Sequence, residues 1–181
     1  MDYKNGIWVF GYGSLIWNPG FAYEARQRAT LTGFRRGFCL WSVHYRGTAE
    51  RPGLVLGLDP AAGVACEGVA YFIGADKAEA VHSYLHAREL VSYAYFEQVE
   101  RLTLADGREV SALCYVVDTT HAQYAGGLGL AAQAEVIRRA KGSAGPNSEY
   151  LQNTTQHLAT LDIRDPEMAA LWALVSEAED G

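Results

Sequence analysis

Ile7-Trp8-Val9-Phe10-Gly11-Tyr12-Gly13-Ser14-Leu15 is a short apolar strand that runs straight into a glycine-flanked turn. Gly11 and Gly13 carry no Cβ on either side of Tyr12, so the backbone can bend sharply and a ligand can approach its amides. Successive N–H groups in such a turn form a concave nest suited to a carboxylate or a developing oxyanion. Residues 7–12 read as a buried strand.

Outward from this segment, strands fill the first two-thirds of the chain. Residues 29–43 read as one or two strands broken near Gly33 and Gly37, and Val55–Leu58 and Cys66–Ile73 as two more, rich in Val, Tyr and Phe. Phe96–Leu104 and Val110–Asp118 flank Asp106-Gly107, a hairpin turn signal. One helix interrupts the strands: it opens at Asp76, places Ala78, Val81 and Leu85 at helical spacing, and ends near Glu89. Past Gly129 the pattern turns helical, with one helix over about Leu130–Lys141 and a second after Gly145-Pro146-Asn147, where Ser148 is the expected cap. A third opens at Asp165-Pro166-Glu167, with a capping Asp and Pro at the first helical position. Strands first and helices last give an α+β fold, a small mixed β-barrel with packed helices, and not a repeated βαβ sheet.

A chain of 181 residues, 49% hydrophobic, suits a single domain over residues 1–181 with a sizeable core. The formal charge of −6 comes without a basic stripe, which excludes nucleic acid and anionic membrane surfaces as partners. Met1-Asp2-Tyr3-Lys4-Asn5 lacks the basic-then-apolar layout of a leader. No apolar run approaches the roughly 20 residues that span a bilayer. A cytoplasmic protein is expected. Cys39, Cys66 and Cys114 are far apart and form no Cys-x-x-Cys pair, so each is expected to be a buried, inert thiol.

Glu89 is the carboxylate that stands out. On a helical wheel it falls near Ala78 and Leu85, beside His82, at the border of the apolar stripe. Partial desolvation there raises a carboxyl's pKa and makes it a useful proton shuttle. The plainer reading is a helix-end glutamate paired with Arg88, or solvated. His82 and His86 share a helix face and with Glu89 could ligate a metal, although two histidines on a surface or groove are commoner than a metal site. Ser14 lies outside a Gly-x-Ser-x-Gly elbow and has no assignable Asp and His. Gly11 and Gly13 lack the third glycine of a dinucleotide fingerprint, and Gly126–Gly129 lacks the Lys-Ser/Thr of a phosphate loop. His44, His121 and His157 show no paired pattern. The polar stretch 44–53, with Arg46 and Arg51, is either a surface connection or a holder for a substrate carboxylate. Tyr150, behind Gly145-Pro146-Asn147-Ser148-Glu149, could point its hydroxyl into a pocket.

Four of these segments together resemble the ChaC-like γ-glutamylcyclotransferases over almost the whole chain. Trp8 to Pro19 is similar to the family's opening strand and loop, and Phe34-Arg35-Arg36 through Leu56-Gly57-Leu58-Asp59-Pro60 to its second region. Arg88-Glu89 fits the family's Arg-Glu pair, and Gly145 to Leu151 its C-terminal motif. The run Ser92-Tyr93-Ala94-Tyr95 departs from the family, with Tyr93 where a Gly is usual, which bears on substrate range. Ala49 stands where a proline is common.

The resemblance implies cleavage of a γ-glutamyl amide, glutathione or a γ-glutamyl peptide, to 5-oxoproline. Glu89 would be the acid/base. Val9, Phe10, Gly11, Tyr12, Gly13, Ser14 and Leu15 would supply a substrate-binding backbone, and Tyr150 a further contact. It implies no metal and no organic cofactor.

Overall fold

The computed structural model describes residues 3–90 and 94–177. The α+β expectation holds. Strands β1 (Ile7–Gly11), β2 (Ala25–Ser42), β3 (Gly53–Ile73), β4 (Tyr95–Leu104) and β5 (Glu109–Val117) form a closed barrel in the order β1-β3-β2-β4-β5. Packing groups the chain into two compact units, Met1–Arg36 with Leu58–Asp118, and Gly37–Gly57 with Thr119–Gly181. Among the described residues no helix is long and apolar enough to cross a membrane.

In the first unit β1 runs antiparallel to β3, from Ile7↔Ile73 to Gly11↔Val69, and parallel to β5 through Trp8↔Ala112 and Val9↔Leu113. Flanked on both edges, β1 keeps Val9 and Phe10 fully buried, which is why its sequence reads as an unbroken apolar run. The hairpin of β4 and β5 turns at Asp106-Gly107 as expected. Gly107 has φ 85°, and Leu104 N–H donates to Arg108 O at 2.8 Å. Helix α1 (Ala75–Glu89) buries Ala78, Val81 and Leu85, the three residues its spacing singled out. Burial of a leucine such as Leu85 is worth about 1.5–3 kcal/mol.

Two expectations about the strands are corrected. The stretch read as broken at Gly33 and Gly37 is one strand of 18 residues, and the two strands read at 55–58 and 66–73 are one strand of 21 residues. Gly33 (φ 87°) and Gly63 (φ 79°) stand in open space, so each bends its strand with nothing in the way. Pro60 is exposed. Glycine and proline break a strand only where every residue must serve a ladder, and here they fall where none is demanded.

The second unit holds α2 (Leu130–Arg139), the short pair β6 (Lys141–Gly142) and β7 (Gly145–Pro146), α3 (Asn147–Thr160) and α4 (Pro166–Ser176). Its core includes Ile137, Leu151, Leu158, Met168, Leu171 and Val175. α2 stops short of Lys141 because Ala140 turns extended (ψ 140°) to begin the β6–β7 pair. Asp165 caps α4 through Met168 N–H at 3.1 Å. Ser148 does not cap α3: Pro146 occupies the cap position and no side chain bonds the first turn. The neighbouring Asn147 is fully buried and clamps a distant strand instead. Its Oδ1 accepts from Leu54 N–H at 2.7 Å, and its Nδ2 donates to Leu54 O at 2.7 Å.

Replacing Asn147 by Ala strands both polar groups of Leu54, each costing about 1–3 kcal/mol when buried without a partner. Asn147→Ala is expected to lower the unfolding free energy by roughly 2–4 kcal/mol in urea titration. A loss below about 0.5 kcal/mol, the size of an ordinary surface change, would mean the clamp is replaced by water.

Candidate active site

The turn after β1 is held by its carbonyls. Gly13 O accepts from Ile16 N–H at 2.9 Å, and Ser14 O from Asn18 N–H at 2.8 Å. Leu15 O and Ile16 O accept from the Tyr71 hydroxyl at 2.8 and 3.2 Å, and Tyr12 O from buried Arg36 Nε at 2.5 Å. The donors are left over. Gly13, Ser14 and Leu15 lie at the start of a 3-10 turn, where N–H groups have no intrahelical acceptor. Among the described residues none of these three N–H groups meets a backbone acceptor. Gly11 serves packing: a Cβ there would come 3.1 Å from Leu15 Cβ and 3.3 Å from the Tyr71 ring. Val9 and Phe10 belong to β1, where the strand ladder engages the backbone.

Arg88, one residue from the end of α1, reaches this turn. Its Nη1 donates to Asn18 O (2.9 Å), Pro19 O (3.0 Å) and the Tyr84 hydroxyl (3.1 Å), and its Nη2 donates to Ser14 Oγ (3.1 Å). Its Nε lies 3.1 Å from Glu89 Oε1. One planar cation therefore joins the loop to the carboxylate, as the fork of a guanidinium permits and a lysine does not. Ser14 is thereby a hydrogen-bond acceptor for Arg88, away from any nucleophilic triad.

The Glu89 side chain is 20% exposed. Burial pushes its carboxyl above its ordinary pKa, and the Arg88 charge pulls it partly back. Of the two readings of the sequence, the Arg88-paired helix end is what the structure shows, and the pair is partly desolvated.

Behind Glu89 lies a polar chain. Glu97 on β4 stands directly opposite Tyr115 on β5. The Tyr115 hydroxyl donates to Glu97 Oε2 at 3.2 Å, and His82 Nε2 lies 2.7 Å from Glu97 Oε1. The Tyr3 hydroxyl completes the chain at 2.6 Å from His82 Nδ1. Tyr12 donates to Tyr115 O at 3.0 Å. Burial pushes the Tyr115 phenol far above its ordinary value, helped by Glu97 and by the charge of Glu89. His82 thus serves Glu97 and Tyr3, with no contact to a metal set. Among the described residues no group of three His, Cys, Asp or Glu is placed to hold a metal ion. Cys39, Cys66 and Cys114 are buried, and burial drives the Cys114 thiol well up.

Tyr150 belongs to the second unit. Its ring meets Phe38 edge-on at 5.7 Å, and the Arg46 guanidinium lies over it at 5.3 Å. Arg46 also donates to Pro146 O at 3.0 Å, so the basic loop 44–53 spends its inner arginine on the start of α3. His44 meets Tyr45 edge-on, and His157 Nδ1 lies against Asn153 O. His121 Nδ1 accepts from Gln123 N–H. Tyr93 and Ser92 lie outside the described residues.

The family model described as "ChaC-like protein" matches residues 7–178. The chain belongs to the ChaC-like family. A glutathione-specific γ-glutamylcyclotransferase of Escherichia coli (strain K12) is 36% identical over 159 residues, 88% of this ChaC-like chain and 68% of that protein. One of Schizosaccharomyces pombe is 31% identical over 191 residues, 97% of this chain and 93% of that protein. Among solved structures, a yeast γ-glutamyl cyclotransferase specific to glutathione superposes with a TM-score of 0.85 at 27% identity, covering 96% of this chain and 99% of that chain.

The sequence reading of this ChaC-like chain missed Glu97, Tyr115 and the several bonds of Arg88. Counting the hairpin outward from Asp106-Gly107 brings Glu97 to Tyr115, so that pair had a signal. The bond to His82 joins a helix to a strand and had none.

Glu89 also marks stability. Its folded pKa is raised above the unfolded value, so the folded state holds its proton more tightly. Its contribution is fully present below the unfolded value and is lost as pH rises through the folded one. Glu89→Gln lacks this term. Relative to wild type it is expected to gain stability as pH rises across the carboxylate range, read from urea midpoints at a series of pH values. A difference that stays flat with pH would mean Glu89 is not desolvated.

Proposed function

We propose that this chain is a γ-glutamylcyclotransferase that splits glutathione into 5-oxoproline and Cys-Gly, with Glu89 as acid/base. The observation that carries the reading is a half-buried carboxylate joined by one guanidinium to a turn whose Gly13, Ser14 and Leu15 N–H groups meet no backbone acceptor among the described residues. The bacterial and fungal relatives, each a glutathione-specific γ-glutamylcyclotransferase, support glutathione as substrate.

The chemistry moves two protons from one nitrogen to another. The substrate's α-amine attacks its own γ-carbonyl, a C–N bond forms to close a five-membered ring, and the bond to the cysteinyl nitrogen breaks. An ammonium cannot attack, so Glu89 first takes its proton. The departing nitrogen must then be protonated, and the same carboxyl returns the proton; the ring nitrogen sheds its second proton to the carboxylate, which passes it on to the freed amine as that becomes an ammonium. Glu89 ends as it began, and no water is consumed. Burial suits it to both halves, because a carboxyl with raised pKa is a better base and still releases the proton. The N–H groups of Gly13, Ser14 and Leu15 receive the substrate's α-carboxylate or the developing oxyanion. Because the nucleophile is tethered, holding the γ-glutamyl arm curled supplies much of the rate. Tyr150 joins the substrate contacts on its motif alone. The residues 1–181 act as one catalytic domain in the cytoplasm, on a small molecule and without nucleic acid.

Purified protein incubated with glutathione is expected to yield 5-oxoproline and Cys-Gly in equal amounts by chromatography. Glu89→Gln is expected to keep the fold and bind substrate, yet lose turnover by at least about 10²-fold. Faster turnover of γ-Glu-Ala than of glutathione would shift the substrate to other γ-glutamyl compounds. Absence of product from both would leave a ligand-binding barrel.

A further inference from the structure

The far end of the Arg88 fork is the most heavily held part of that side chain. Nη1 meets Asn18 O at 2.9 Å, Pro19 O at 3.0 Å and the Tyr84 hydroxyl at 3.1 Å, while Nη2 meets Ser14 Oγ and Nε faces Glu89. A guanidinium is planar, so fixing Nη1 also fixes the direction of Nε, and with it the pair with Glu89. Asn18 and Pro19 reach Nη1 from the loop. Tyr84 stands one turn before Arg88 on α1, the helix that also carries Glu89.

Gly20 admits that hydroxyl. Its φ is 75°, and a Cβ there would lie 2.1 Å from Tyr84 Oη, 2.9 Å from the ring carbon that bears it and 3.4 Å from Arg88 Nη1. Any side chain at residue 20 would drive the hydroxyl off Arg88. Phe21 braces the Tyr84 ring edge-on at 6.4 Å and stands edge-on to Tyr71 at 5.6 Å. Tyr84 still leaves 39% of itself in solvent, so losing its hydroxyl costs the core little.

We propose that Tyr84, admitted by Gly20, locks the Arg88 fork in the orientation that holds Glu89 to the loop, and so is a positioning residue for the cyclisation. It exchanges no proton and touches no substrate atom. The inference rests on Glu89 being the acid/base. Among the described residues, Tyr84 and Arg88 on α1 and Tyr115 from β5 are the titratable and charged groups that bear on Glu89.

The sign of the effect follows from Arg88. Without the Tyr84 hydroxyl the fork swings, and its charge spends less time 3.1 Å from the Glu89 carboxylate. Losing a nearby cation disfavours the ionised carboxyl, so Glu89 then takes its proton at higher pH.

The test is the pH profile of kcat for glutathione turnover in wild type, Tyr84→Phe, Gly20→Ala, Arg88→Met and the double variant Tyr84→Phe/Arg88→Met. Each is checked for its fold by circular dichroism and urea titration. Glu89 must be ionised to act, so the acid limb reports its pKa in the complex. Tyr84→Phe is expected to raise that limb by about 0.3–0.5 pH unit and to lower plateau kcat about fivefold, with KM changed less than about twofold. The loss of position outweighs the slight gain in basicity. Gly20→Ala should move limb and plateau the same way and at least as far. Arg88→Met should raise the limb by about one pH unit. The double variant should match Arg88→Met, because Tyr84 acts only through Arg88. In proton–nitrogen correlation spectra the Arg88 Nε–H resonance, sheltered by Glu89 in wild type, should broaden by exchange with water in Tyr84→Phe. A merely structural role would lower stability and leave limb and resonance in place.

If Tyr84→Phe folds with the wild-type limb, kcat and Nε–H resonance while Glu89→Gln is inert, this inference fails and the acid/base reading stands. If Glu89→Gln turns over normally, both fall. A rise in KM with the limb in place, or losses that multiply in the double variant, would likewise overturn it.

Discussion

The arrangement of the site depends on the guanidinium of Arg88. A carboxylate at the end of a helix is ordinarily solvated, and a glycine turn after a strand is ordinarily loose. Here one cation bonds Ser14 Oγ and the carbonyls of Asn18 and Pro19 while lying against Glu89. That choice fixes two quantities at once. It sets where the carboxylate stands relative to the loop, and it keeps burial from neutralising the acid outright. A lysine would supply the charge without the fan of directed donors.

Around that cation the polar groups are sorted by sign. The loop's carbonyls face Arg36, Tyr71 and Arg88, which are donors. Its N–H groups at Gly13, Ser14 and Leu15 are the remainder, and they make the turn electropositive on the side left to them. The same division recurs farther in, where the hydroxyl of Tyr115 and the ring of His82 converge on Glu97. Buried networks of this kind are stable when every member is satisfied, and this one closes at Tyr3.

What the sequence revealed follows from the range of the interactions concerned. Local signals served well: the spacing of Ala78, Val81 and Leu85 marked α1, Asp106-Gly107 marked the hairpin, and Asp165-Pro166 marked the start of α4. Glycine and proline misled at Gly33, Gly63 and Pro60, because their cost depends on whether a partner demands a donor there. Ser148 misled for a related reason. The helix took Pro146 at its cap, and the polar residue that mattered, Asn147, was pledged to Leu54 on a strand far back in the chain. Glu89 was legible by its place on the helix wheel, and its proximity to Arg88 was read correctly as well. The pairing of His82 with Glu97 was not, since no periodicity links a helix residue to a strand residue across a loop.

The parallel contact of β1 with β5 has a consequence for how the chain comes into being. Trp8 and Val9 meet Ala112 and Leu113, beyond the midpoint of the sequence. During synthesis β1 is made well before β5, so one of its two edges stays open after β3 has been made. Closure of so distant a pair is slow and leaves the nascent segment open to self-association. Cells making this protein quickly have reason to shield that strand until the barrel can shut.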